Sequence, residues 1–240
     1  TWIGGTLART LQNEGTCVRD GTPALEFIRI DAPGLLVNRP GAVFDIRVDH
    51  EIIGSGAIEN QSGATFVKSA ATQGNPFDPG AIVRCAFANA GSVSSNLEFL
   101  VFRGGLVNSV TGVIATSPDG TISLETGVCT FATGSTVVNN GTLESSGTTL
   151  IDSGVNFSGS GTLTISGGTT TIQPDLSLAT LRVEGGTLTG TGNLLITSGM
   201  LLAGSMSGSG VTTVSPGVTW DWHESSLTRV LRNDGTCRSQ

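Results

Sequence analysis

Apolar and polar residues alternate along much of the chain. In GTLTISGGTTTIQ (161–173) and GTLTGTGNLLITSG (186–199), apolar or β-branched residues recur at every second position, the period of a strand with one side turned inward. Gly or Asn punctuates these runs and supplies the left-handed turn conformation between strands. The runs are too short for helices, so the pattern predicts many short strands.

The strands belong to a repeat. Its unit is an apolar pair, an Asn or small polar residue, a Gly followed by Thr, Ala, Ser or Val, and an alternating strand. It reads LQNEGTCV, LVNRPGAVFDI, IENQSGATFVK, FANAGSVSS, VVNNGTLES, FSGSGTLTI, RVEGGTLTG, MSGSGVTTV and VLRNDGTC, with glycines at 15, 41, 63, 91, 141, 161, 186, 210 and 235. The 50-residue gap after Gly91 holds two units, with a degenerate middle around Gly112 or Gly120. Nine intervals then span Gly15 to Gly235, a little over 24 residues each. Three short strands and their turns fill such a period. A unit of this size cannot bury its apolar face alone, so neighbours stack. The prediction is an all-β parallel β-solenoid of about ten coils, a rod about 45 to 50 Å long at roughly 4.8 Å per coil. A β-sandwich or jelly roll also contains many short strands, but seldom repeats one Asn/Gly signature at nearly every turn. Asn13, Asn38, Asn60, Asn89, Asn140 and Asn233 recur at this turn. They are either an amide ladder along one corner or residues tolerating the turn backbone.

The chain also echoes itself. At an offset of 220, Trp2 to Cys17 and Trp222 to Cys237 agree at eight of sixteen positions. That predicts one coil type returning in register, with a terminal coil or cap over 219–240. It also predicts a chain excised from a longer one, since Thr1 follows no leader. Residues 1–103 carry ten acidic and eight basic residues and the insertions DAPGLLVNRPG and ATQGNPFDPG; residues 104–218 carry six acidic residues and Arg182 alone as a base. One solenoid domain over 1–240 is therefore expected, its first part with longer loops and its second part regular. Longer loops on a rigid scaffold are where binding resides.

Composition removes several functions. Hydrophobic content of 38 % fills a core. One lysine, Lys68, and eleven arginines against nineteen acids leave no basic patch for nucleic acid. No apolar run is long enough for a transmembrane helix. Cys17, Cys85, Cys129 and Cys237 lack metal-ligand spacing, so neither metal nor cofactor is expected.

With its units written out, the chain resembles the Gly- and Asn-rich strand repeats of large secreted bacterial surface proteins, the autotransporter-passenger and filamentous-adhesin type. NEGT, NRPGAVFD, NQSGATF, NAGSV, NNGTL and NDGT carry the resemblance. It implies a right-handed parallel β-helix, located extracellularly or at the cell surface. The function it implies is a rigid spacer, adhesin or self-assembling unit, whose partners are copies of itself, neighbouring modules or surface glycans. No secretion module is visible.

Because many parallel β-helices cleave polysaccharides, an enzyme is the alternative. Its densest cluster is RVDHE (47–51): in an alternating strand Arg47, Asp49 and Glu51 share one face and His50 takes the other. Asp49, His50 and Glu51 are thus the catalytic candidates, against a plain exposed strand of mixed charge. Trp220, Trp222 and His223 line a sugar subsite or cap the last coil. Calcium-binding nonapeptides are excluded because Asp does not recur at their spacing. GTTTI and VTTV suggest an ice-ordering face, but Thr does not repeat in every coil. Cys17 and Cys237 lie nine coils apart, beyond disulfide reach within one rod, and are expected to bridge only between stacked molecules.

Overall fold

The computed structural model describes residues 2, 4–20, 27–70 and 80–239; most of the ATQGNPFDPG insertion falls outside them. The chain winds as a parallel β-solenoid of about ten turns with three flat faces. Face A opens with Gly5–Leu7, face B with Thr10–Asn13 and face C with Thr16–Arg19. Every strand pairs in parallel with the strand one turn away. The inward column of face B runs Leu11, Leu36, Ile58, Phe87, Leu106, Cys129, Thr149, Thr170, Leu188, Met206 and Leu227. A turn takes about 21 residues. Near the C-terminal end, Leu176–Val183 and Leu194–Leu202 run round the corner from face C onto face A. These two long strands join both faces into one hydrogen-bonded sheet of fourteen strands, beside sheets of eleven and seven.

The turns are held together by ladder hydrogen bonds and by one continuous core. In the first half that core is aromatic: Phe44 stacks on Phe66 at 5.2 Å, and Phe87 stands edge-on to Phe66 and Phe102 at 4.9 and 5.1 Å. Further along it becomes aliphatic, with Leu163, Leu181, Ile196 and Leu202 essentially inaccessible to solvent. Burying a side chain of this size contributes about 1.5–3 kcal/mol, and each turn depends on its neighbours to do so.

The period is shorter than the 24 residues read from the glycines, for a geometric reason. Gly41, Gly63, Gly91 and Gly112 precede face C, Gly120, Gly141 and Gly161 precede face A, and Gly186 precedes face B. The Asn/Gly signature migrates from corner to corner, and counting it as one position stretches the period. The degenerate middle contains both Gly112 and Gly120, which serve two corners of one turn.

The terminal echo is correspondingly out of register. Leu7, Leu11 and Cys17 lie on faces A, B and C. Leu227 lies on face B; Val230–Asn233 continues the column of face C; Cys237 pairs with Trp220 on face A. The same spacing of residues thus occupies three successive faces twice, displaced by one face.

Candidate functional site

The RVDHE segment is not a strand. The strand on face C ends at Ile46, the next on face A begins at Glu51, and residues 47–50 form the corner between them. The expected sharing of one face by Arg47, Asp49 and Glu51 therefore fails. Glu51 points outward on face A and pairs with Arg84, while Asp49, 8 % exposed, turns into the corner.

There Asp49 meets a residue that sequence reasoning missed. Lys68 closes the strand Thr65–Lys68 at an inward position and is 0 % exposed. Its Nζ lies 2.7 Å from Asp49 Oδ1, an ionic contact outside hydrogen-bond geometry, and donates to the Ala70 carbonyl. One turn later Ser95 Oγ donates to the Glu98 carbonyl at 3.0 Å. Glu98 holds a φ of 55°, in the left-handed region unusual for a residue with a side chain. Its carboxyl is pushed above the usual range by burial and then by the Asp49 carboxylate, with Lys68 opposing. The His50 imidazole is pushed down by burial and Arg19, with Asp49 opposing and Lys68 adding to the depression. Asp45 accepts from Arg47 Nε at 2.7 Å and from Ser69 Oγ. The cluster is a network of paired charges, the buried clasp, that ties three successive turns together, with Asp49 Oδ1 held by charge rather than by a hydrogen bond. Asp49 pairs inward with Lys68 while Glu51 pairs outward with Arg84, so the three candidates Asp49, His50 and Glu51 do not converge on one face. One signal could have revealed Lys68: in TFVK it has the same parity as Phe66, which a solenoid must turn inward.

The asparagines divide into two groups. Asn13, Asn38, Asn60 and Asn89 form an amide ladder at the corner from face B to face C, each Nδ2 donating to the next Oδ1 at 2.8 Å, and Asn108 extends it. The same amides reach the carbonyls of Val43, Thr65 and Ser92 at 2.8–3.0 Å. Phe131 and Ile151 continue the column without it. Asn140 is exposed; its buried neighbour Asn139 accepts from Thr116 Oγ1 at 2.7 Å on face C. Asn233, also exposed, accepts from Trp220 Nε1 at 3.0 Å.

Trp220 is 2 % exposed and stacks on Trp222 with centroids 5.8 Å apart. The pair fills the interior of the last turns, leaving no open indole face on Trp220 for a sugar ring; His223 stands at the edge of face A. All four cysteines are free. Burial pushes the Cys85 and Cys129 thiols up to about 11, which makes them inert. Cys17 and Cys237 sit at opposite ends on different faces. Among the described residues no cluster of His, Cys, Asp or Glu could hold a metal ion, and no helix is long and apolar enough to cross a membrane.

What the scaffold presents outward is uneven. Face A carries Arg29, Glu51, Glu98, Glu144, Arg182, Asp221 and Arg238 within its strands, and Arg84, Arg103, Glu125 and Glu184 just after them. Several are paired, including Arg103 with Glu125 and Arg182 with Glu184. Among the described residues, the outward strand positions of face B carry one charge, Glu59, and those of face C carry Asp45 and Arg232. The remaining outward strand positions of both faces are dominated by Thr, Ser, Ala and Val. Comparison with protein-family models, curated proteins and solved structures finds no match.

Proposed function

We propose that this chain is a structural and adhesive module of an extracellular bacterial surface or filament-forming protein, acting as a rigid spacer or self-assembling unit. The segregation of charge supports it best. A rod with one charged face and two faces of mostly small, uncharged side chains suits contact with another uncharged surface, since those faces cost less to desolvate than the charged one. The buried clasp and the amide ladder favour rigidity over turnover, and the Gly/Asn strand repeats resemble those of secreted bacterial surface proteins.

Electron microscopy of the purified protein at rising concentration should show rods that associate along their length or ends. A glycan array and a lyase absorbance assay run alongside should show no turnover. Robust cleavage of any polysaccharide would overturn the proposal.

A further inference from the structure

On face B, two shallow clefts meet around Glu59, Ala88 and Val107. The outward columns explain them. One reads Leu35, Ala57, Ala86, Gly105, Val128, Thr148; the other Val37, Glu59, Ala88, Val107, Thr130, Leu150. Turns three and four therefore present holes, floored by Ala57, Ala86 and Ala88. Turns five and six present knobs: Val107 is 52 % exposed and Val128 61 %. Among the described residues the Glu59 carboxylate has no hydrogen bond or ion pair.

This order is self-complementary. Place a two-fold axis along the strand direction between turns four and five, and each turn faces its mirror-ordered counterpart while each column faces itself. Val128 then stands over Ala57 of a second copy, Val107 over Ala88, and Gly105 over Ala86 at the axis. Thr130 stands over Glu59, so its hydroxyl can donate to the carboxylate left without a partner. A symmetric contact must repeat every such match twice, and this one does so without opposing like charges. Eight turns at about 4.8 Å, by ~15 Å of strand and corner, give about 600 Å² per copy, or ~1,200 Å² in all. That sits at the lower end of specific interfaces.

We infer that face B is a contact surface between two copies of this chain, packed antiparallel about a two-fold axis between the fourth and fifth turns. This rests on the self-assembly reading above and names its partner and geometry. Sedimentation equilibrium of the wild type should show a concentration-dependent dimer. A88R and V128R, both at exposed positions, should keep wild-type circular dichroism and melting while weakening the dimer at least tenfold. T213R on face C should leave it unchanged. In a C17S/C237S background, the A57C/V128C pair, three turns apart within one chain and so able to bridge only between copies, should oxidise to a covalent dimer. The A86C/A88C pair, which would meet only if the rods ran parallel, should not. A wild type that stays monomeric, a dimer indifferent to A88R, or bridging through A86C/A88C alone would each overturn the inference. Rods that associate under the microscope equally well with A88R would discard face B while leaving the structural reading standing.

Discussion

A single side chain decides most where its polar atoms have no water to fall back on. Asn60 sits mid-ladder, 1 % exposed, donating to Asn89 and Ser92 and accepting from Asn38. Asn60→Ala strands donors and acceptors on both sides and should cost about 2–3 kcal/mol. Asn140→Ala, at an exposed corner position, should stay within about 0.5 kcal/mol; paired urea titrations check both. Lys68→Met leaves Asp49 charged and buried without its cation, for an expected loss of about 3–5 kcal/mol; equal stability of Lys68→Met and wild type would contradict the clasp. The titrating members oppose each other. His50 is depressed from its ordinary 6.5, so its neutral form stabilises the fold above that pH, and this contribution is lost as pH falls from 6.5 through its folded value. Glu98 is raised from 4.5, so its contribution is present below that pH and lost as pH rises through its folded value. His50→Gln should therefore flatten the loss of melting temperature between pH 7 and 5.5, and Glu98→Gln should not.

At the scale of strands and turns, parity was readable in the sequence and position around the coil was not. Alternation in GTLTI or TFVK assigns inside and outside correctly, because a pleat has no third option. Three faces of nearly equal strand length, however, are interchangeable to a local motif. Asn38 and Asn139 each end a strand before a corner, yet one serves the ladder and the other a different column. The asparagine one residue on, Asn140, satisfies the same motif and lies outside. RVDHE misled similarly: its alternation looks like a strand, but the coil must turn between Ile46 and Glu51. The echo shows what this interchangeability does to a conserved spacing. Arg9 lies exposed at the corner from face A to face B. Its counterpart Arg229 lies at the corner from face B to face C, 3 % exposed, donating to Thr212 Oγ1 at 2.9 Å and to the carbonyls of Gly190 and Gly192. Arg229→Ala removes a buried donor from the Gly192 carbonyl and the Thr212 hydroxyl, the Gly190 carbonyl keeping its bond from the Gly210 N–H, and should cost about 2–3 kcal/mol, while Arg9→Ala costs less than about 0.5. A pair of chemical denaturation curves separates them; equal effects would mean the echo positions share an environment after all.

For the molecule as a whole, the distribution of charge predicts how association responds to salt. A net charge of −7 on 240 residues would ordinarily make copies repel at low ionic strength and contact through matched ion pairs. Here the charges gather on face A and at corners, many paired within the molecule, while among the described residues the strands of face B offer one carboxylate, Glu59. Contact through face B removes apolar and hydroxyl surface from water and leaves the charged face in solvent. Sodium chloride between about 0.05 and 0.5 M should thus change self-association only weakly, by relieving residual repulsion, since the Debye length already falls to about 10 Å at 0.1 M. Ammonium sulfate, which is excluded from protein surface, should strengthen association steeply at the same ionic strength. Contact through face A would behave in the opposite way, because its Arg and Glu ladder could exchange partners between molecules and would dissociate in chloride. Light scattering across the two salts at matched ionic strength reads the difference directly: dissociation by chloride would assign assembly to the charged face and remove the role given to the uncharged ones.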